Sequence, residues 1–353
     1  MTTFRNPSIF SNDFYSPQAT ERLKEILGEI CTELYSENRD IFLSRLSDFQ
    51  RDLYQEVVKI PYSSKDFWRD IHDVIVTSHL IRLAVASNEA IPSWLIEAAL
   101  LHDRGYALLS QLGKRGLSSL LAGDYNDLSG SHWDGVDTRI AHSLYSVEVA
   151  RYIFDGHAND PKVDALIKEC EVAHLTIPRT VLENKVKLLR VIEEHDYPLI
   201  GRYGAISAYT QHHFDADSLY SISVTSFVKD YVFYRSDVSK MQVWREAVQG
   251  SGIPLTQTFQ MKDLFALRLN RYFQEGDSIS DVLTPFLRKK GEFGESFFEA
   301  KETIPPHSPE ARKRTEEAFL RLLALISKLE GVSTEDQFTK VVKDAARAEL
   351  ASI

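Results

Sequence analysis

The sequence predicts an all-α protein, and three observations carry that expectation. Apolar residues recur at spacings of three and four along most of the chain, no run of alternating β-branched residues is long enough for a convincing sheet, and no internal repeat is present.

Taken in order, residues 17–60 carry Leu23, Ile26, Leu27, Ile30 and Leu34, then Ile41, Phe42, Leu46, Phe49 and Leu53, the pattern of two amphipathic helices. Pro61 breaks the pattern, and Ser63 or Ser64 is placed to cap a long helix over residues 65–86. Pro92 suits the first turn of a helix over residues 93–102, which is apolar nearly all round and so belongs in the core. Residues 113–136 shift to Gly, Ser, Asn and Asp with scattered leucines, an irregular insertion of the kind that forms lids or pocket walls. Helical periodicity returns over residues 139–154, 163–173, 182–194 and 218–234, and again over 258–273 and 311–329, with a Pro-rich joint at 304–307. The expected division is N-terminal helices over 1–64, a core over 65–234 and a C-terminal helical region over 235–353.

Composition narrows the function. With 353 residues, 43% hydrophobic and 26% charged, the chain can bury a sizeable core. Its formal charge of −10 opposes broad binding to nucleic-acid polymers or anionic membranes, while leaving room for a local basic pocket. Cys31 and Cys170 are too few for a disulfide framework, and no apolar run reaches the ~18 residues of a membrane span. With no basic-then-apolar leader in residues 1–13, a cytoplasmic location is expected.

The chemistry concentrates where the apolar helix ends, in Glu97-Ala-Ala-Leu-Leu-His-Asp-Arg-Gly. An imidazole and a carboxylate at the floor of a core are costly to bury, and a bound cation compensates both. Taken alone, the His102-Asp103 dipeptide is weak evidence, because His72-Asp73 repeats it on a helix without that context.

His79 precedes His102 by 23 residues, and His213-Phe-Asp-Ala-Asp-Ser-Leu-Tyr follows far downstream. The order His, then Ala-Leu-Leu-His-Asp, then Asp-Ala-Asp-x-Leu resembles the HD superfamily of metal-dependent phosphohydrolases over about residues 65–234. The resemblance implies a helical bundle in which His79, His102, Asp103 and Asp217 bind a divalent cation such as Mn, Fe, Co, Ni, Zn or Mg. It implies hydrolysis of a phosphoester or phosphoanhydride in a small phosphorylated substrate by metal-activated water, with Asp103 accepting the water's proton.

Arg139-Ile-Ala-His142 resembles the Arg-x-x-His stretch of members that bind a second metal, with His174 or His195 as the further ligand; the sequence leaves that choice open. Glu193 is a lesser carboxylate candidate. Arg104 departs from the family's usual aliphatic residue, and it stands either as a catalytic and substrate-binding cation or in a plain salt bridge. Lys114, Arg115 and Arg139 are candidates to complete an anion pocket. Two other readings stay open: an HD-type mixed-valent diiron oxygenase, and a degenerate HD scaffold that only binds a ligand. The sequence is compatible with a homo-oligomer.

Overall fold

The structure is a computed structural model that describes residues 17–63, 66–86, 91–112, 136–196, 206–236, 261–273, 281–283 and 306–353. Among these residues every regular element is a helix and no strand occurs, so the all-α expectation holds. The chain divides into two compact units, Met1–Leu34 with Ser218–Ile353, and Tyr35–Asp217.

The second unit is assembled around α4 (Trp94–Leu101), which touches α2 (Asp48–Val57), α3 (Arg69–Ala86), α6 (Val136–Asp155) and α8 (Arg179–Glu194). Only Ile96 of α4 is not fully buried, as a helix apolar on all faces requires. Its one buried charge, Glu97, accepts a hydrogen bond from Gln50 Nε2 at 3.1 Å. Gln50 also completes a capping box with Ser47 at the start of α2, so one side chain ties two helix starts together.

Near the site, α3 begins at Arg69 rather than at residue 65, because Ser63 closes a short turn on Asp66 instead of capping a helix. A further helix that periodicity does not single out, α5 (Gly105–Leu112), follows the His102-Asp103 pair and packs tightly on α6. A Cβ on Gly105 would lie 1.8 Å from the His142 carbonyl oxygen, so only glycine allows this approach. The Gly105 amide uses the closeness to donate to Ser146 Oγ at 2.8 Å.

The α7 helix (Pro161–Glu169) stops short of residue 173, where Glu171 adopts a left-handed φ of 55°. Where periodicity suggests one helix over 218–234, there are two, α9 (Ala208–Ser221) and α10 (Val224–Ser236). Ser223 separates them, and its hydroxyl accepts the Ser226 amide at 3.3 Å.

In the other unit, the first part of α1 (Pro17–Ser44) and α10 are joined by α11 (Met261–Tyr272), α12 (Pro309–Leu329) and α13 (Glu335–Leu350). Phe319 sits at the centre of an aromatic group with Phe265, Tyr272 and Phe273. Buried Glu349 accepts the Val224 amide at 2.9 Å, placing a carboxylate at the start of α10. No helix among the described residues is long and apolar enough to cross a membrane.

Candidate metal centre

Every side chain of the cluster belongs to the Tyr35–Asp217 unit. α3 supplies His72, the end of α4 supplies His102 and Asp103, α6 supplies His142, the end of α8 supplies His195, and α9 supplies Asp217. Thr210 Oγ1 donates to Glu194 at 3.3 Å, which links the first turn of α9 to the last of α8.

Two groups of donor atoms form around Asp103. On one side, His72 Nε2 lies 3.4 Å from Asp103 Oδ2 and 3.1 Å from Asp217 Oδ1, and His102 Nε2 lies 3.9 and 3.8 Å from those two carboxylates. On the other, Asp103 Oδ1 lies 3.3 Å from His142 Nε2 and 3.4 Å from His195 Nε2, and the two imidazole nitrogens are 2.9 Å apart. Both His72-His102-Asp103 and Asp103-His142-His195 are buried triads whose donor atoms lie within 4.8 Å of one another. Ligand bonds of about 2.0–2.2 Å place neighbouring donors roughly 3 to 4 Å apart, so these separations suit a bound divalent ion.

Ring orientation points the same way. The carbonyls of Ala99 and Ile192 face the Nδ1 atoms of His102 and His195 at 2.7 and 2.5 Å. A carbonyl only accepts, so Nδ1 carries the proton in each ring and the Nε2 lone pair is turned into the cluster. His102 Nε2 is buried without a hydrogen-bond partner, so its lone pair could take a cation.

Charge states at the two carboxylates suit a cation, and one bound at His72 would displace a proton from that ring. Burial would raise Asp103, but Arg69 and the imidazoles of His102 and His72 outweigh it and hold the carboxyl well below its ordinary range. At Asp217, likewise, burial is outweighed, by the neighbouring imidazoles of His102 and His72, the latter hydrogen-bonded to it at 3.1 Å. At His72 burial is outweighed by Asp103, Asp217 and Asp73, which push the imidazolium up to about 9. Burial lowers His142, and with the neighbouring His102 and His195 it lowers His213 further.

These groups could hold a metal ion, and their placement revises several sequence expectations. His102, Asp103, Asp217, His142 and His195 converge as expected. His79 stands outside both triads, and His72 stands in one. The two are seven residues apart on α3, about 10 Å along the axis. Residues 71–80 of that helix are buried throughout, so burial does not separate them and depth along the helix does. His72 of the His72-Asp73 dipeptide, read from sequence as a counterexample, thus stands in the cluster.

Of the two candidates for the later histidine, His195 stands in a triad. His174 instead faces the Ile153 carbonyl at 3.1 Å and stands outside both triads, as does Glu193. Arg104 also points elsewhere. It is fully buried, with Nη2 donating to Asp73 Oδ2 at 2.6 Å, Nη1 donating to the Ile60 carbonyl at 3.1 Å, and its guanidinium over the Tyr62 ring. The cation beside the cluster is Arg69, which pairs with Asp103 and lies 3.6 Å from the centroid of the Tyr106 ring. Lys114, Arg115 and the side chain of Arg139 lie outside the described residues.

His72, Arg69, Tyr106 and His213 are not singled out by the sequence reading. One signal was available: Arg69 and His72 share a face as an i, i+3 pair on one helix. Comparison with protein-family profiles, with curated proteins and with solved structures gave no match.

Proposed function

We propose that the protein is a metal-dependent phosphohydrolase that cleaves a small phosphorylated compound with metal-activated water at a two-cation centre. The observation that carries this reading is Asp103, whose two oxygens face different imidazole groups, Oδ2 towards His72 and Oδ1 towards His142 and His195. A helical unit with this buried His/Asp set is compatible with the HD-type site that the sequence resembles.

Bound divalent ions lower the pKa of coordinated water and polarise a phosphoryl oxygen. His72, His102, Asp103 and Asp217 would hold one ion, and Asp103, His142 and His195 the other. In the reaction the water oxygen forms a bond to phosphorus, the ester P–O bond breaks, and a water proton ends on the leaving oxygen or in solvent. Asp103, common to both groups, would hold the centre together. Arg69, partly exposed beside Asp103, supplies positive charge for a substrate phosphate.

A shared carboxylate between two imidazole groups also favours a second reading, a mixed-valent diiron oxygenase. Metal analysis of protein purified without added metal, joined to a screen of nucleotides and small phosphoesters, separates the two. Phosphate release with Mn, Co, Ni, Zn or Mg supports the hydrolase. Two irons per chain with oxygen uptake and no phosphate release overturn it in favour of the oxygenase. Neither metal uptake nor turnover would leave the degenerate scaffold.

A further inference from the structure

His213 is the cluster's neighbour that neither ligand group uses. Its ring is 0% exposed, and among the described residues neither Nδ1 nor Nε2 has a hydrogen-bond partner. It packs edge-on against His102 with ring centroids 4.7 Å apart, and lies 5.8 Å from the His195 ring. It also precedes Asp217 by four residues on α9, which sets both on one helix face.

Buried polar atoms are almost always paired, because leaving one unpaired forfeits its hydration without return. A structural histidine would find a carbonyl, as His174 does at Ile153. For an imidazole with both nitrogens unpaired, set against two ligand rings, the missing partner belongs to whatever the centre receives. A neutral imidazole offers one N–H donor, which suits an oxyanion.

We propose that His213 binds the substrate's phosphoryl group, donating a hydrogen bond to an oxyanion seated beside His102 and His195. This deepens the phosphohydrolase reading and rests on it: the ligand is a phosphate monoester or its product, inorganic phosphate.

The test uses the full chain loaded with Co(II), whose visible absorption reports on the centre, with inorganic phosphate as the probe. Metal stoichiometry and the phosphate dissociation constant are measured for wild type, His213→Phe and His213→Gln. The expected result is unchanged cobalt content in all three, phosphate binding weakened about tenfold or more in His213→Phe, and partial recovery in His213→Gln, which keeps a donor. Equal phosphate affinity in wild type and His213→Phe overturns the proposal. Loss of cobalt from both variants also overturns it, by making His213 a ligand. If wild type binds cobalt but no phosphate, the phosphohydrolase reading fails and this inference with it, a result distinct from equal affinity. A purely structural role would change the melting temperature of the metal-free variants and leave phosphate affinity alone.

Discussion

Tyr106 lies flat against His142, with ring centroids 4.0 Å apart and planes 14° apart, while Arg69 covers Tyr106 with its guanidinium 3.6 Å from the ring centroid. The stack fixes one imidazole of the cluster from outside, and it exists because Gly105 lets α5 close upon α6.

Gly105→Ala is therefore expected to be costly. The added methyl meets backbone rather than a flexible side chain, at the His142 carbonyl and the Ser146 amide. Overpacking of this kind costs about 1–3 kcal/mol, with the upper end expected here. Chemical denaturation measures the loss, and the same variant should bind metal more weakly, because His142 moves with its carbonyl.

The revised ligand assignment is checked by a pair of variants on one helix. His72→Ala should lower metal affinity by at least tenfold, whereas His79→Leu should leave the metal-to-protein ratio unchanged. Metal titration followed by calorimetry reads both, and the reverse pattern would restore His79 as the ligand.

Arg104 is expected to matter for folding and not directly for chemistry. Arg104→Met leaves Asp73 buried beside Tyr62 and His72 without its 2.6 Å partner. Breaking a buried pair from one side costs about 3–5 kcal/mol. Removing both charges with Arg104→Met and Asp73→Asn should recover part of that loss in thermal unfolding, which a catalytic role for Arg104 does not predict.

Glu97 gives a pH dependence remote from the cluster. Burial pushes its carboxyl up from 4.5 to about 7, against the hydrogen bond from Gln50. Between those values the folded state holds a proton that the unfolded state has released, so stability falls as pH rises through that window. Above pH 7 the cost is on the order of 3 kcal/mol, because each tenfold difference in proton affinity between the folded and unfolded chain is worth about 1.4 kcal/mol. Glu97→Gln should flatten this part of the stability–pH curve and raise the melting temperature at pH 8 relative to wild type. Glu349, likewise pushed up to about 7 by burial, keeps its own contribution in both proteins.

The helices were legible where burial pattern and boundary chemistry agree. α4 stood out because its apolar surface runs all the way round, and α12 begins at Pro309 behind a Ser308 cap, close to the residue 311 that periodicity suggests. α5 was not legible from periodicity; Gly105 serves the approach of another backbone, a property of the folded pair. In the site, His102-Asp103 was readable from an apolar helix ending in two polar groups. His72 was not, because α3 buries both of its histidines and the one-dimensional pattern carries no depth. His195 and His174 had equal standing in sequence, but His195 sits at the end of α8 in a triad, whereas α7 ends at Glu169 and leaves His174 beyond it.

Asp103 is common to both halves of the cluster, and the two-cation reading gives this a consequence for loading. The first ion to arrive draws on the same unit of negative charge that the second requires. Occupancy of the two positions is then coupled: one ion is held firmly, the other exchanges readily, and gentle chelation should strip the protein in two separable stages.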